Sequence, residues 1–303
     1  MADQERAGDA GGARGIVPRS LAWATDIDAL PLDRQVHRAG DHLVVRSPGN
    51  PEHYWGNLLI FDEPPGVGDG ERWSAAFAAA FTDEERVRHR TFAWDRTDGS
   101  LGSAREEFEQ AGYELEELVA LVAQADEVRV HRRANVAVRI RLLDPGAGAD
   151  EGLWEQAIEL QVAGRDERFD EDMHRRFCRS RMDELRALFL AGRGGWYVAL
   201  DGGGREVLGG CGVVLTAGRG RFQSVHTAEA HRREGICSRL VAEAARMSGA
   251  ERLVICADAA YHALGLYESL GFGPAERVAG VCLQPPPLSP EPRPARRPSA
   301  GGM

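Results

Sequence analysis

The sequence predicts an α/β (α+β) fold, a mixed sheet with flanking helices, laid out as two successive domains. Three observations predict it. Short apolar or alternating runs are interleaved with helical ones along most of the chain. A strand, a glycine-bearing loop and a helix follow one another at 54–81 and again at 221–247. Charge is divided unevenly: residues 21–130 hold 10 arginines against 22 Asp and Glu, a net −12, whereas 131–303 hold 24 against 22. The border lies near 130–136.

With 303 residues, 43% of them hydrophobic, the chain has room for two domains of ordinary size. No apolar run approaches the ~20 residues of a membrane span, and the charged, Gly-rich first twenty residues lack the apolar core of a signal peptide. Five cysteines, odd in number and without a Cys-x-x-Cys pair, fit reduced thiols in a cytoplasm. All 37 basic side chains are arginine, and the net charge of −10 argues against nucleic acid as the main partner.

In chain order, residues 1–19 and 285–303 are expected to be disordered, the first Gly- and charge-rich, the second with seven prolines in nineteen residues. The domain 20–130 opens with strands at 41–46 and 54–61. A Pro/Gly turn at 63–68 then leads into a helix, 69–81, with Trp73, Phe77 and Phe81 on one face. A strand at 88–94, a helix through Phe108 and a strand at 113–122 complete it. The cluster Tyr54-Trp55-Gly56-Asn57 can line a pocket or an interface, with aromatic packing in a core the simpler reading. The second domain, 136–284, opens with a strand at 136–142. Asp150 and Asp170 are placed to cap two helices, carrying Trp154, Ile158 and Val162 and then Cys178, Met182, Leu185 and Phe189. Strands at 196–200 and 207–215 flank the hairpin turn Asp201-Gly202-Gly203-Gly204, too far from any helix start to hold a nucleotide.

After a strand at 221–227 comes His231-Arg232-Arg233-Glu234-Gly235-Ile236-Cys237-Ser238, opening a helix with Ile236, Leu240, Ala244 and Met247 at helical spacing and Gly249 as its stop. Unpaired N–H groups at a helix start suit a diphosphate. Gly235 permits close approach, and Arg232 and Arg233 add full charge. An apolar strand, 251–258, and a helix ending in Tyr267-Glu268-Ser269-Leu270-Gly271-Phe272 follow.

This order resembles the GNAT superfamily of acyl-CoA-dependent N-acyltransferases, closely over 221–280 and thinly before. The resemblance implies a mostly antiparallel sheet in which strands 221–227 and 251–257 run parallel and splay apart for pantetheine. It implies acetyl-CoA as co-substrate, no metal, and a CoA site at Thr227, Ala228, Arg232, Arg233, Glu234, Gly235, Ile236, Cys237 and Ser238. An amide near Thr227 and Ala228 would hold the oxyanion. Tyr267 would protonate the leaving thiolate. For the base, Glu229, His226 and a relayed water stay open, with Glu229 the named catalytic candidate.

Three positions depart from the family pattern: Cys237 adds bulk beside the loop, Glu229 replaces a frequent proline, and Glu234 brings negative charge. The stretch 20–130 reads as a second, degenerate GNAT-like domain, so that two occur in tandem. Glu63-Pro-Pro-Gly66-Val-Gly68 stands for Arg232 to Cys237, and Phe108 stands for Tyr267; an unrelated α/β domain is the alternative. The expected activity is acetyl transfer to a small-molecule or peptide amine, without membrane or nucleic-acid partners. A homodimer is compatible with the sequence but not required by it. A non-catalytic acyl-CoA sensor and a nucleotide-binding protein are the rivals, the latter lacking a full Gly-x-Gly-x-x-Gly loop.

Overall fold

The computed structural model describes residues 16–146, 148–166, 170–260 and 263–285. The expectations of disorder at the two ends fall mostly outside them. The first half contributes α1 (Leu21–Asp28), β1 (Gln35–Ala39), β2 (His42–Arg46), β3 (Leu58–Phe61), α2 (Asp69–Ala80), β4 (Arg90–Trp94), α3 (Arg105–Gln110) and β5 (Glu114–Gln124). The second contributes β6 (Arg139–Leu142), α4 (Glu151–Ala163), α5 (Glu171–Leu190), β7 (Gly194–Leu200), β8 (Val207–Thr216), β9 (Arg219–Thr227), α6 (Ile236–Met247), β10 (Arg252–Asp258), α7 (Ala263–Ser269) and β11 (Gly273–Leu283). Among the described residues eleven strands join one sheet, in the order β1-β2-β3-β4-β11-β5-β10-β9-β8-β7-β6. Pairing is antiparallel except at β3·β4 and β9·β10.

The motif strand–loop–helix–strand–helix–strand therefore occurs twice, as β3-α2-β4-α3-β5 and as β9-α6-β10-α7-β11. The last strands are exchanged. β11 pairs with β4 of the first half, β5 pairs with β10 of the second, and the two lie antiparallel to each other at the centre. Each half thus closes the sheet of the other. Ala120 of β5 packs with Trp23 of α1, whereas Val119 and Leu121 pack with α6 and α7. Because successive strand residues face opposite sides, α1 lies on the face away from α6 and α7. The same alternation in β7 puts α4 and α5 on the α1 side, and Leu115, Ala279 and Val281 put α2 and α3 with α6 and α7.

Several elements differ in detail from the expectations. Tyr54–Gly56 is a 3-10 turn ahead of β3 rather than strand. The helix α1 was not anticipated: Ser20 accepts from Trp23 N–H at its start, and Glu276 of β11 accepts from Ser20 Oγ (2.8 Å) and Ala22 N–H (2.6 Å). Asp170 caps α5 through Met173 N–H, but the Asp150 carboxylate turns back to Asp144 N–H (2.9 Å) and Arg141 instead of capping α4. On α6 the apolar face is completed by Val241 and Ala245, while Met247 is 37% exposed.

Candidate active site

The parallel pair β9·β10 is short. Arg219–Arg221 lie opposite Arg252–Val254, and beyond that the strands part. On the other side of β9 the ladder with β8 shifts: Gly212 faces Gln223 and Gly210 faces His226, so Ser224 and Val225 together oppose Cys211. Ser224 has φ 47°, the mark of a bulge that re-aims the strand. A gap opens at the centre of the molecule, with the bulge on one lip and Ile255–Asp258 on the other.

Beyond β9, a 3-10 turn at Glu229–His231 leads into the loop, where Arg233 (φ 67°) and Gly235 (φ 78°) adopt left-handed conformations. The first helical bond of α6 is Arg239 N–H to Gly235 O, and Arg232 N–H is spent on Glu229 O. Among the described residues the amides of 233–238 meet no protein acceptor. Such a row of donors at the positive end of a helix suits an anion. Arg232 and Arg233 are exposed beside it. Ile236 and Ser238 offer only amides, since the Ile236 side chain is buried and the Ser238 hydroxyl donates to Gly235 O (2.9 Å). Glu234 is paired with His231 (3.1 Å). Cys237 packs inward against the apolar core under α6, and burial pushes its thiol up to about 11. It neither crowds the loop nor supplies a thiolate.

Residues 192–274 match the family described as Acetyltransferase (GNAT) domain. This segment is a GNAT domain. Solved structures of similar fold include a functionally unknown conserved protein from Staphylococcus epidermidis, with TM-score 0.64 and 14% identity over 84% of this chain and 96% of that one. A GCN5-related N-acetyltransferase from Kribbella flavida has TM-score 0.59 and 16% identity over 91% and 98%. At these identities the likeness is one of fold, a GNAT-like mixed, mostly antiparallel sheet with flanking helices. No curated protein sequence matches. Acyl transfer is the general activity of the GNAT family, and it implies an acyl-CoA donor and an acceptor.

Within the GNAT domain, Tyr267 lies on the buried side of α7, 6% exposed, in the apolar cluster of Ile236 and Leu240 and edge-on to Phe272. Tyr261, the other tyrosine of this stretch, falls outside the described residues. Thr227 ends β9, and Ala228 N–H donates to Leu208 O (2.9 Å), so it is not free to hold an oxyanion. At the bulge, Ser224 and Val225 have no regular ladder partner on β8. Glu229 is exposed in the turn before the loop. His226 is packed against Gly164, and burial lowers its pKa, with Arg232 and His174 adding to the effect. Among the described residues no group of three or more His, Cys, Asp or Glu is placed to hold a metal, and no helix is long and apolar enough to cross a membrane.

The corresponding loop of the first half is blocked. Asp69 accepts from Gly66 N–H (2.8 Å) and Glu107 from Gly68 N–H (3.1 Å), so carboxylates occupy the donors that an anion would use. The left-handed glycine that starts α2 is Gly68 (φ 85°), which makes it, rather than Gly66, the counterpart of Gly235. Phe108 accepts from Tyr113 N–H as Tyr267 accepts from Phe272 N–H.

Sequence reasoning missed the segment joining the halves. Asn135 N–H donates to Gly235 O (3.1 Å), and Arg133 O lies where a Cβ on Gly235 would sit. The exposed Arg132-Arg133 backbone thus runs along the loop. Its resemblance to Arg232-Arg233 was the available signal. Also missed was a cavity of about 320 Å³ between the halves, on the α1 and α5 side of the sheet. The loop before β3 and the start of α5 wall it. Asn57 pins that loop by accepting from Ser47 N–H and donating to Asn50 O and His53 O, which presents Tyr54 and Trp55 to the cavity, while Trp55 also packs against the core cluster around Trp23, as the aromatic-packing reading expects.

Proposed function

We propose that the protein is an N-acyltransferase that moves an acetyl group from acetyl-CoA to a primary amine by direct attack in a ternary complex. The unclaimed amides of 233–238, beside Arg232 and Arg233 at the mouth of the β9–β10 gap, carry this reading. The diphosphate of CoA binds there, and the pantetheine arm passes Thr227 and Ala228 into the gap. An amide of the Ser224–Val225 bulge takes the place first expected at Ala228 and stabilises the oxyanion. Tyr267 protonates the departing thiolate. The unit 20–130 is a degenerate GNAT-like domain and 136–284 the catalytic one, and the exchange of β5 and β11 supports their acting as one body.

Replacing Arg232 by alanine is expected to weaken acetyl-CoA binding by about 1–3 kcal/mol, the range for a hydrogen bond to a charged group. Calorimetry tests it, and unchanged affinity would remove the loop from the site. Tyr267→Phe is expected to lower kcat on the order of 10²-fold with acetyl-CoA affinity retained. Undiminished turnover would end its role as acid. Acetyl-CoA binding without thiol release over an amine panel would return the protein to a non-catalytic sensor.

A further inference from the structure

Glu114 and Glu116 of β5 project on the α1 and α5 side of the sheet and form the floor of the cavity between the halves. Opposite them on β11 stand Cys282 and Gly280, small residues that leave the floor open. Trp55 lies over Gly280, where a Cβ would meet its ring at 2.7 Å; it stacks on Trp23 (5.6 Å) and donates its indole N–H to Glu116 (3.2 Å). Tyr54 and Phe177 add aromatic walls. A second, more open depression of about 570 Å³ continues past Glu114, Glu116 and Glu117 to Asp258, at the end of β10. Among the described residues neither lining includes an arginine, in a chain whose 37 Lys and Arg positions are all arginine.

The cavity adjoins the gap. His174, on its wall, contacts Gln161 O (3.4 Å), and Gln161 Nε2 donates to O of the bulge residue Ser224 (3.4 Å). Asp258 stands on the opposite lip. Tyr267 lies on the other face of the sheet, so an amine arriving through the cavity and a thiolate leaving past Tyr267 would be served by different groups.

We propose that this cavity is the acceptor site, that it takes a primary ammonium carried on an aromatic or similarly flat apolar body, and that Glu116 removes the proton the ammonium must lose. The inference rests on the transferase reading above. Carboxylates beside aromatic faces are the surroundings a cation on an apolar body prefers. Glu116 is exposed at the cavity floor, with Trp55 beside it and β11 paired alongside. Partial desolvation by the protein around it raises its pKa to about 7; the Trp55 indole N–H opposes the rise, and Asp258, Glu114 and Asp26 add to it. The other titratable groups lining the cavity are Glu52, which is paired with Arg176 (3.4 Å), His53 and His174, whose pKa values burial lowers, and the Tyr54 phenol and neutral Cys282 thiol, each pushed by burial to about 12. A carboxylate with this pKa is ionised just above neutrality and basic enough to accept the proton. The ammonium gives one proton to Glu116. The neutral amine then forms the C–N bond as the C–S bond breaks. Its second proton balances the thiolate, which leaves as the CoA thiol, and Glu116 returns its own proton to water through the open depression.

Thiol release with acetyl-CoA is to be compared for phenethylamine, ethanolamine and phenylalanine, which share the amine but lack in turn the aromatic body or the net positive charge. A kcat/KM for phenethylamine about tenfold above both others is expected. In Glu116→Gln, kcat falls on the order of 10²-fold and the acid limb of the pH profile near 7 disappears, with acetyl-CoA affinity by calorimetry unchanged. In Trp55→Phe, an independent variant, loss of the indole donor moves that limb to higher pH. Equal rates for the three amines, or an acid limb that survives in Glu116→Gln, overturns this inference and leaves the transferase reading intact. Failure of the unmodified protein to bind acetyl-CoA overturns both.

Discussion

Gly235→Ala is expected to weaken acetyl-CoA binding about 5- to 150-fold, the equivalent of the 1–3 kcal/mol of a residue held in a sparsely populated backbone region. Two costs coincide at this position. Its φ of 78° disfavours any side chain, and the added Cβ would stand 1.9 Å from the carbonyl oxygen of Arg133. That atom is backbone and cannot swing away. In the free protein the loop can relax by letting go of the Asn135 N–H bond, but binding a diphosphate requires the amides of 233–238 to converge again, so the strain appears in the affinity. Gly249→Ala is the control: its φ is 74° with open space around it, well beyond the loop at the far end of α6. It shares the backbone penalty but spares the site. Calorimetry showing equal acetyl-CoA affinity for the Gly235→Ala and unmodified proteins would disprove the assignment of the loop.

Asp26→Ala is expected to destabilise the fold by about 3–5 kcal/mol, the cost of leaving a buried charge without its partner. Arg221, 7% exposed, lies on β9 at the root of the gap. Burial would lower its pKa, but Asp26 and Cys256 together outweigh burial and raise it, so the guanidinium stays charged. Asp26 belongs to α1, which two further arginines hold by its C-terminal carbonyls, Arg193 at Asp28 O (2.9 Å) and Arg181 at Ala29 O (3.1 Å). Cations at the negative end of a helix are favourably placed. Arg181 also reaches Gln223, next to the bulge. The helix thus fixes one lip of the gap from the far half of the chain. Chemical denaturation gives the test: a midpoint unchanged by Asp26→Ala would mean that the ion pair contributes nothing. Substituting both members with apolar residues, Asp26→Leu with Arg221→Met, should recover much of the loss, because the desolvation cost goes with the pair.

How much was legible follows from how local each feature is. The loop 232–238, the helix behind it and the turn Tyr267–Phe272 are written in consecutive residues, through a glycine that alone tolerates φ 78° and an apolar face at helical spacing. The repeat was legible too, but its register was displaced by two residues, because Gly66 and Gly68 look alike until one of them is seen to start α2. α1 left no comparable trace. Ala22, Trp23, Ala24 and Thr25 are buried in succession, enclosed by the sheet and its neighbours, so no apolar stripe marks it out.

Glu116 shows the limit most clearly. Glu114-Leu115-Glu116-Glu117 reads as a strand with a solvated face, and only the loop 47–57 and the start of α5, lying over that face, make it the floor of a cavity. Strand register gives the same lesson. Nothing in the composition of β5 or β11 says that each will complete the other half's sheet, since apolar alternation specifies a face and not a neighbour. The sequence alone therefore determined most of the secondary elements, the loop 232–238 and the repeat, all governed by backbone geometry within a few residues. The tertiary structure decided which strands exchange, that Glu107 reaches the first loop and where the cavity between the halves lies, because those depend on contacts between residues far apart in the sequence, 39 positions for Gly68 and Glu107 and more for the others.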